Sequence, residues 1–432
     1  MISNKIKGGI FGSIKIPSDK SISHRSIIIP SIAKGISEIN NLLMSDDVIH
    51  TLEAFKALGV KIVNENNKII IYGKGLNSLK KSNKNIYLGN SGTSARLLTG
   101  LLASQSFNSI LEGDKSLSSR PMKRIMDPLK LMGAEFENIS GTLPLKIIGK
   151  SLNKSKIEIE IPSAQIKSGL ILAAINTRGV SHLMEKNITR DHTENILKSF
   201  GADIDIQKNG NETSIYINGK KELKSNKIDV PSDLSSSAFF IVAALINKDS
   251  KISMNNISIN PTRDGILKAL KKMGAKINIK NKRILCGEIV ADLEVQYSNL
   301  SGCELDSEMA NLMIDEYPIL SIAAAFANGP SVFRGLKELK VKESDRLELI
   351  RLNLVKCGCN CKVINDDLFI NPSKIYSPRD NKIITDFDHR IAMSFAIMGS
   401  RIGNLVIKDA QSINTSFPNF IDKFNDAGGN IL

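Results

Sequence analysis

The chain has 432 residues, too many for one ordinary hydrophobic core, so two domains are expected. Its 42% hydrophobic and 24% charged residues are the balance of a soluble globular protein, and no apolar run reaches the ~18 to 20 residues of a membrane span. The net charge of +14 suits an anionic ligand, yet the lysines are scattered and aromatics are sparse (no Trp, six Tyr), which argues against a nucleic-acid-binding surface.

The opening stretch, MISNKIKGGIFGSIKIP, lacks the apolar core of a signal peptide and becomes strand-like at once, so a cytoplasmic protein is expected. From there one unit repeats. A helix end followed by Gly and then a strand reads FKALGVKIV at Gly59, LKLMGAEFE at Gly133, LKSFGADID at Gly201, LKKMGAKIN at Gly274, LVKCGCNCKV at Gly358 and, more weakly, FNDAGGNIL at Gly428. Each Gly fits the C′ position of a helix, where φ is positive. Six units account for the whole chain.

Upstream in each unit stands a short strand, a turn of Pro, Ser, Asn or Asp, and a small-residue apolar helix. The copies are IKIPSDKSISHRSIIIPSIA, IYLGNSGTSARLLTGLLA, IEIPSAQIKSGLILAAI, IDVPSDLSSSAFFIVAALI, IDEYPILSIAAAFA and ITDFDHRIAMSFAIM. Helices apolar almost all round should be buried, and their polar first turns can cap. The second helix of each unit, as in PTRDGILKALKKMGAK, is amphipathic and should lie nearer the surface. The fold class is therefore α/β, six βαβαββ repeats, three per domain, with sheets wrapped around buried parallel helices.

The helix starts carry the chemistry. Lys20 and Arg25 in Pro17-Ser18-Asp19-Lys20-Ser21-Ile22-Ser23-His24-Arg25 put cations at a helix N-terminus, unfavourable unless an anion binds there. Gly89-Asn90-Ser91-Gly92-Thr93-Ser94-Ala95-Arg96 lets an anionic group approach backbone N–H groups, but lacks the Lys of a P-loop and dinucleotide-fingerprint spacing. Ser163-Ala164-Gln165 and Thr189-Arg190-Asp191-His192-Thr193-Glu194 follow in the third copy, and Asp388-His389-Arg390 opens the sixth. Between them, Asp315 and Glu316 precede an Ala-rich helix expected over Ile319 to Ala327. Asn328-Gly329-Pro330 breaks it, a strand follows at Ser331 to Phe333, and Lys342, Glu343, Asp345 and Arg346 sit at the next helix start. Acids there could transfer protons, and helix N-termini beside Lys and Arg could hold anionic oxygens.

Five cysteines, Cys286, Cys303, Cys357, Cys359 and Cys361, are an odd set unsuited to a disulfide framework. Cys357-Gly-Cys-Asn-Cys361 has no nearby His or fourth Cys to complete a tetrahedral site, so the thiols read as structural and no metal is expected.

Taken together, PSDKSISHR, LGNSGTSAR, SLSSRPM, PSAQIKSGL, RDHTE, VKESDR and DHR resemble the family of 3-phosphoshikimate 1-carboxyvinyltransferases, or EPSP synthases, over essentially the whole chain. The resemblance implies a two-domain inverse α/β barrel, with 1–17 plus 232–432 in one domain, 18–231 in the other, and an active site in the cleft between them. It implies transfer of the enolpyruvyl group of phosphoenolpyruvate to shikimate 3-phosphate by a cytoplasmic monomer without cofactor, metal, nucleic acid or membrane. By the same resemblance, Lys20, Ser21, Arg25, Ser163, Ala164, Gln165, Arg190, Asp315 and Lys342 meet shikimate 3-phosphate. Lys20, Gly92, Arg120, Gln165, Arg346 and Arg390 meet phosphoenolpyruvate, and Asn90, Thr93 and His389 support them. Asp315 is the implied base, Glu343 the proton donor, and Lys20 a third catalytic group. Many members carry a Lys where Thr415 stands here; Lys408 is nearby in sequence. These departures, with RDHTE, look like the second major class of the family. The rival enolpyruvyl transferase acting on UDP-N-acetylglucosamine usually has Lys-Asn in its first motif and a reactive Cys in a mobile loop. Here Ser21 follows Lys20, and no Cys stands near Arg120. A basic nucleic-acid-binding repeat protein is the other alternative.

Overall fold

A computed structural model describes all residues except 66–67, 138–139, 211 and 374–379. The chain divides into two compact units. The terminal unit, which holds both chain ends, contains Met1–Pro17, Ser232–Arg283 and Ile289–Leu432; the middle unit contains Ser18–Pro231 and Ile284–Glu288.

The six repeat glycines carry the fold's punctuation. Gly59, Gly133, Gly201, Gly274, Gly358 and Gly428 have φ of +83°, +87°, +84°, +87°, +88° and +108°, a region that side chains with a Cβ rarely adopt. After the first five, a strand starts two residues on, at Lys61, Glu135, Asp203, Lys276 and Asn360. After Gly428 only a bridge from Ile431 to Ser3 remains.

The third copy shows the sheet scheme. Strand Lys156–Ile159 runs parallel to Gly179–Glu185, which is antiparallel to Glu212–Gly219, which is antiparallel to Asp203–Asn209. The second copy repeats this order with Ile86–Tyr87, Ser109–Glu112, Leu145–Ile148 and Glu135–Glu137. The fifth repeats it with Glu304–Leu305, Ser331–Phe333, Asp367–Asn371 and Asn360–Ile364.

The expectation that every copy supplies its own leading strand fails for the first and fourth. The first copy's sheet takes Lys227–Asp229, parallel to Lys34–Asn40. The fourth takes Phe11–Ser13, parallel to Lys251–Ser258. Pro17 and Pro231, which separate these strands from the next helix, favour extended backbone in the residue before each. Each unit then closes on itself: Asp19 N–H donates to the Pro231 carbonyl at 2.7 Å, and Asp233 N–H to the Pro17 carbonyl at 2.9 Å. In the sixth copy the chain start completes the sheet, Ile2–Ser3 pairing antiparallel with Leu405–Ile407.

Three apolar helices fill each unit: Lys20–Ile32, Gly92–Ala103 and Ala164–Ile175 in the middle unit, and Leu234–Ile246, Tyr317–Ala325 and His389–Ile402 in the terminal unit. In the middle unit, a Cβ on Gly100 would stand 1.9 Å from the Gly169 carbonyl oxygen, so two of these helices cross closer than any other residue allows. In the terminal unit, Phe240 packs against Phe417, Phe420 and Phe424. Asp19, Ser91, Ser163, Asp233 and Asp388 cap five of the six by accepting backbone N–H groups. The exception is Tyr317–Ala325, which runs ahead of the expected 319–327 because a 3-10 turn at Ile314–Glu316 and Pro318 start it early.

Candidate active-site groups in the two units

In the middle unit the N-terminal halves of the three buried helices are linked by side chains. Lys20 Nζ contacts Asp47 Oδ2 at 2.7 Å. Arg25, almost fully buried, sends all three of its hydrogen bonds to neutral oxygens: Nε to Thr193 Oγ1 at 2.6 Å, Nη1 to the Ser21 carbonyl at 2.8 Å and Nη2 to Ser168 Oγ at 2.7 Å. Burial draws its pKa down to about 10, with Glu194 pulling it up and Arg190 pushing it further down. Arg190 itself lies in the loop that precedes the helix His192–Ser199.

A second chain of contacts runs through the turn at Asn90. Arg120 Nη2 donates to Asn90 Oδ1 and, at 3.4 Å, to Ser116 Oγ. Arg96 Nη1 donates to Gln165 Oε1 at 3.1 Å, and Gln165 Nε2 to Thr93 Oγ1 at 3.1 Å. A Cβ on Gly92 would lie 2.7 Å from Arg96 Nη1 and 3.1 Å from Arg120 Nη1, so a larger residue there would shift these guanidinium groups. Ser163 caps its helix, its Oγ accepting from Ile166 N–H at 3.5 Å, and Ala164 is the first helical residue.

His24 lies beneath, fully buried. Its Nδ1 is 2.8 Å from Thr51 Oγ1, which is 2.6 Å from Ser94 Oγ, which is 2.7 Å from Ser91 Oγ. Burial is the main cause that lowers its pKa to about 3, aided by Lys20 and Arg25 and opposed by Asp47. The imidazole is therefore neutral.

The terminal unit gathers acids. Arg346, almost fully buried, holds three carboxylates: Asp388 Oδ2 at 2.7 Å from Nε, Asp315 Oδ1 at 3.2 Å from Nη1 and Glu343 Oε2 at 2.6 Å from Nη2. Burial alone disfavours this cation, but Asp388, Glu343 and Asp315 together raise its pKa above the usual arginine value. Lys342 Nζ is 3.3 Å from Asp315 Oδ1. Arg390 Nη1 donates to the Asp315 carbonyl at 3.1 Å and lies 3.6 Å from Glu316 Oε1. Ser344 Oγ donates to Asp388 Oδ2 at 3.0 Å. His389 Nδ1 is 3.5 Å from Thr415 Oγ1, so a hydroxyl faces the imidazole there, while Lys408 is exposed.

Several residues of these groups escaped the sequence reading as site members: Asp47, Arg96, Ser168 and Thr193 in the middle unit, and Asp388 as the acid on Arg346. Lys167 also escaped, although a lysine in an otherwise apolar helix is a signal, because a buried ammonium requires partners. Cys357, Cys359 and Cys361 are buried thiols, and burial pushes Cys357 and Cys361 up to about 12. Among the described residues, no group of three or more His, Cys, Asp or Glu is arranged to hold a metal ion.

The fold is that of enolpyruvyl transferases. The enolpyruvyl transferase NikO from Streptomyces tendae superposes with a TM-score of 0.76, covering 99% of this chain and 97% of that one, at only 14% identity. The sequence profile of EPSP synthase (3-phosphoshikimate 1-carboxyvinyltransferase) matches residues 5–424. The 3-phosphoshikimate 1-carboxyvinyltransferase of Ruthia magnifica subsp. Calyptogena magnifica is 43% identical over 429 residues, 99% of this chain and 98% of that one. That of Bartonella henselae is 44% identical over 425 residues, 97% of this chain and 96% of that one. The EPSP synthase structure from Acinetobacter baumannii has a TM-score of 0.87 at 40% identity, covering 99% of this chain and 98% of that one. The chain belongs to the EPSP synthase family.

Proposed function

We propose that the protein transfers the enolpyruvyl group of phosphoenolpyruvate to the 5-hydroxyl of shikimate 3-phosphate, releasing phosphate, and that both units' groups act on this one pair of substrates. The reading is supported by the family match across residues 5–424 and carried by one observation: Arg346 holds Asp315 and Glu343 together. The reaction removes a proton from a hydroxyl and adds one to the enol methylene. Asp315 takes the first and Glu343 gives the second. Glu343 therefore starts as the neutral carboxylic acid and Asp315 as the carboxylate, so the pair beside Arg346 carries one negative charge before the exchange and one after.

Two phosphates and two carboxylates need fixed cations. Lys20, Ser21, Arg25, Ser163, Ala164, Gln165 and Arg190, with Asp315 and Lys342, bind shikimate 3-phosphate. Lys20, Gly92, Arg120, Gln165, Arg346 and Arg390 bind phosphoenolpyruvate, while Asn90, Thr93 and His389 hold these groups in place. The reaction balances without a redox step, so no cofactor is invoked. The protein works as a cytoplasmic monomer on small molecules, not on nucleic acid or a membrane; no helix among the described residues is long and apolar enough to cross one.

A phosphate-release assay tests this. Phosphate should appear with phosphoenolpyruvate plus shikimate 3-phosphate, and not when UDP-N-acetylglucosamine replaces the latter. Release with UDP-N-acetylglucosamine alone would replace the reading.

A further inference from the structure

Lys167 lies in the helix Ala164–Ile175, whose other buried positions are apolar or small. Its side chain is 1% exposed, so a charge there requires full compensation. Three acceptors supply it: Glu185 Oε1 at 2.9 Å, Glu194 Oε1 at 2.9 Å and the Thr189 carbonyl at 3.2 Å. An ammonium has three donors, and all three are used. Burial works against the charge, but Glu194 and Glu185 more than offset it and raise the pKa above the usual lysine value.

The partners matter more than the pairing. Glu185 ends a strand and also grips Thr189, accepting its N–H at 3.4 Å and its hydroxyl at 2.8 Å. Thr189 is thus held through its N–H, hydroxyl and carbonyl, and the next residue is Arg190. Glu194 stands in the first turn of the helix His192–Ser199, beside Thr193, the acceptor of Arg25 Nε. After burial, Glu194 is the largest influence on Arg25's charge. On the other side of Lys167, Ser168 accepts Arg25 Nη2 at 2.7 Å. One sealed ammonium therefore ties together the three elements that carry Arg190 and the shell of Arg25.

We propose that Lys167 is a positioning residue for anion recognition: through Thr189 and Glu194 it sets Arg190 and the charge environment of Arg25, so that affinity for shikimate 3-phosphate depends on a side chain closed to solvent. The inference rests on the substrate pair proposed above. A purely structural ion triad would affect stability and both substrates alike; a positioning role affects shikimate 3-phosphate selectively.

The test titrates shikimate 3-phosphate by calorimetry onto wild-type protein, Lys167→Met and Glu185→Gln, with steady-state kinetics and Tm alongside. Lys167→Met should weaken shikimate 3-phosphate binding by about 10- to 100-fold, the size expected when a charge-assisted network is lost. The KM for phosphoenolpyruvate should stay within about 3-fold, since uniform loosening would move both constants. Glu185→Gln keeps the ammonium but removes one of its two carboxylates and loosens the Thr189 clamp, so it should shift affinity the same way by less; if Lys167→Met does not fold, this variant decides. Shikimate 3-phosphate affinity unchanged in a folded variant, or both substrates weakened in step with Tm, would overturn the proposal. Absence of binding by the wild-type protein would overturn the substrate assignment first, and this inference with it.

Discussion

Arg25 in the middle unit and Arg346 in the terminal unit are both almost fully buried arginines near the N-terminal ends of helices, yet their shells are opposite. Arg25 is hydrogen-bonded only to two hydroxyls and a carbonyl, and burial draws its pKa down to about 10. Arg346 contacts three carboxylates, which raise its pKa despite burial. A guanidinium with a neutral shell keeps its positive potential for an incoming anion. One surrounded by acids has much of that potential offset inside the protein and also holds the acids in place. In the proposed function, Arg25 answers the anion of shikimate 3-phosphate, while Arg346 both meets phosphoenolpyruvate and holds the carboxylates proposed to move protons.

The largest expected effect tests the second half of that contrast. Asp315→Asn and Glu343→Gln should each lower kcat by about 10²- to 10⁴-fold, the usual worth of a positioned acid or base. Next comes stability. Arg346→Met leaves three carboxylates without their shared cation and should cost about 3–5 kcal/mol, seen as a marked fall in Tm. Arg25→Gln removes a cation that has no direct acid partner, so Tm should change far less, while shikimate 3-phosphate affinity falls by about 10- to 100-fold. Equal losses of Tm in these two variants would erase the distinction. An effect that emerges only as pH falls concerns His24, whose folded pKa is lowered from 6.5 to about 3. Below about pH 6.5 the unfolded chain takes a proton that the folded one refuses, so stability is lost as pH falls toward 3, by up to ~1.4 kcal/mol per unit. His24→Asn does not titrate, so its Tm should fall less steeply than the wild type's between about pH 6.5 and 4. Parallel curves would remove His24 as a buried neutral group.

What the sequence made legible is local. A glycine at +83° to +108° after each amphipathic helix, an oxygen-bearing cap before five of the six apolar ones, and the apolar helices themselves all have causes within a few residues. Strand partners do not. Phe11–Ser13 and Lys227–Asp229 each stand before a helix they do not serve, and nothing in their own residues says that Lys251–Ser258 and Lys34–Asn40 receive them. The charge pairs divide the same way. Lys342 beside Asp315, 3.3 Å apart, was expected from resemblance. The acids on Lys167 are in other elements, and Asp388 reaches Arg346 from the next copy, so spacing alone could not pair them. The neighbour of Thr415 is likewise seen only in three dimensions: its hydroxyl lies 3.5 Å from the His389 imidazole.

The most direct test of the division between binding and proton transfer is a calorimetric titration of shikimate 3-phosphate onto Asp315→Asn protein, with kcat measured on the same preparation. The account predicts affinity within a few-fold of wild type, about 3-fold, together with a kcat lowered by about 10²-fold or more. Near-normal kcat, or a collapse of affinity with turnover retained, would contradict it.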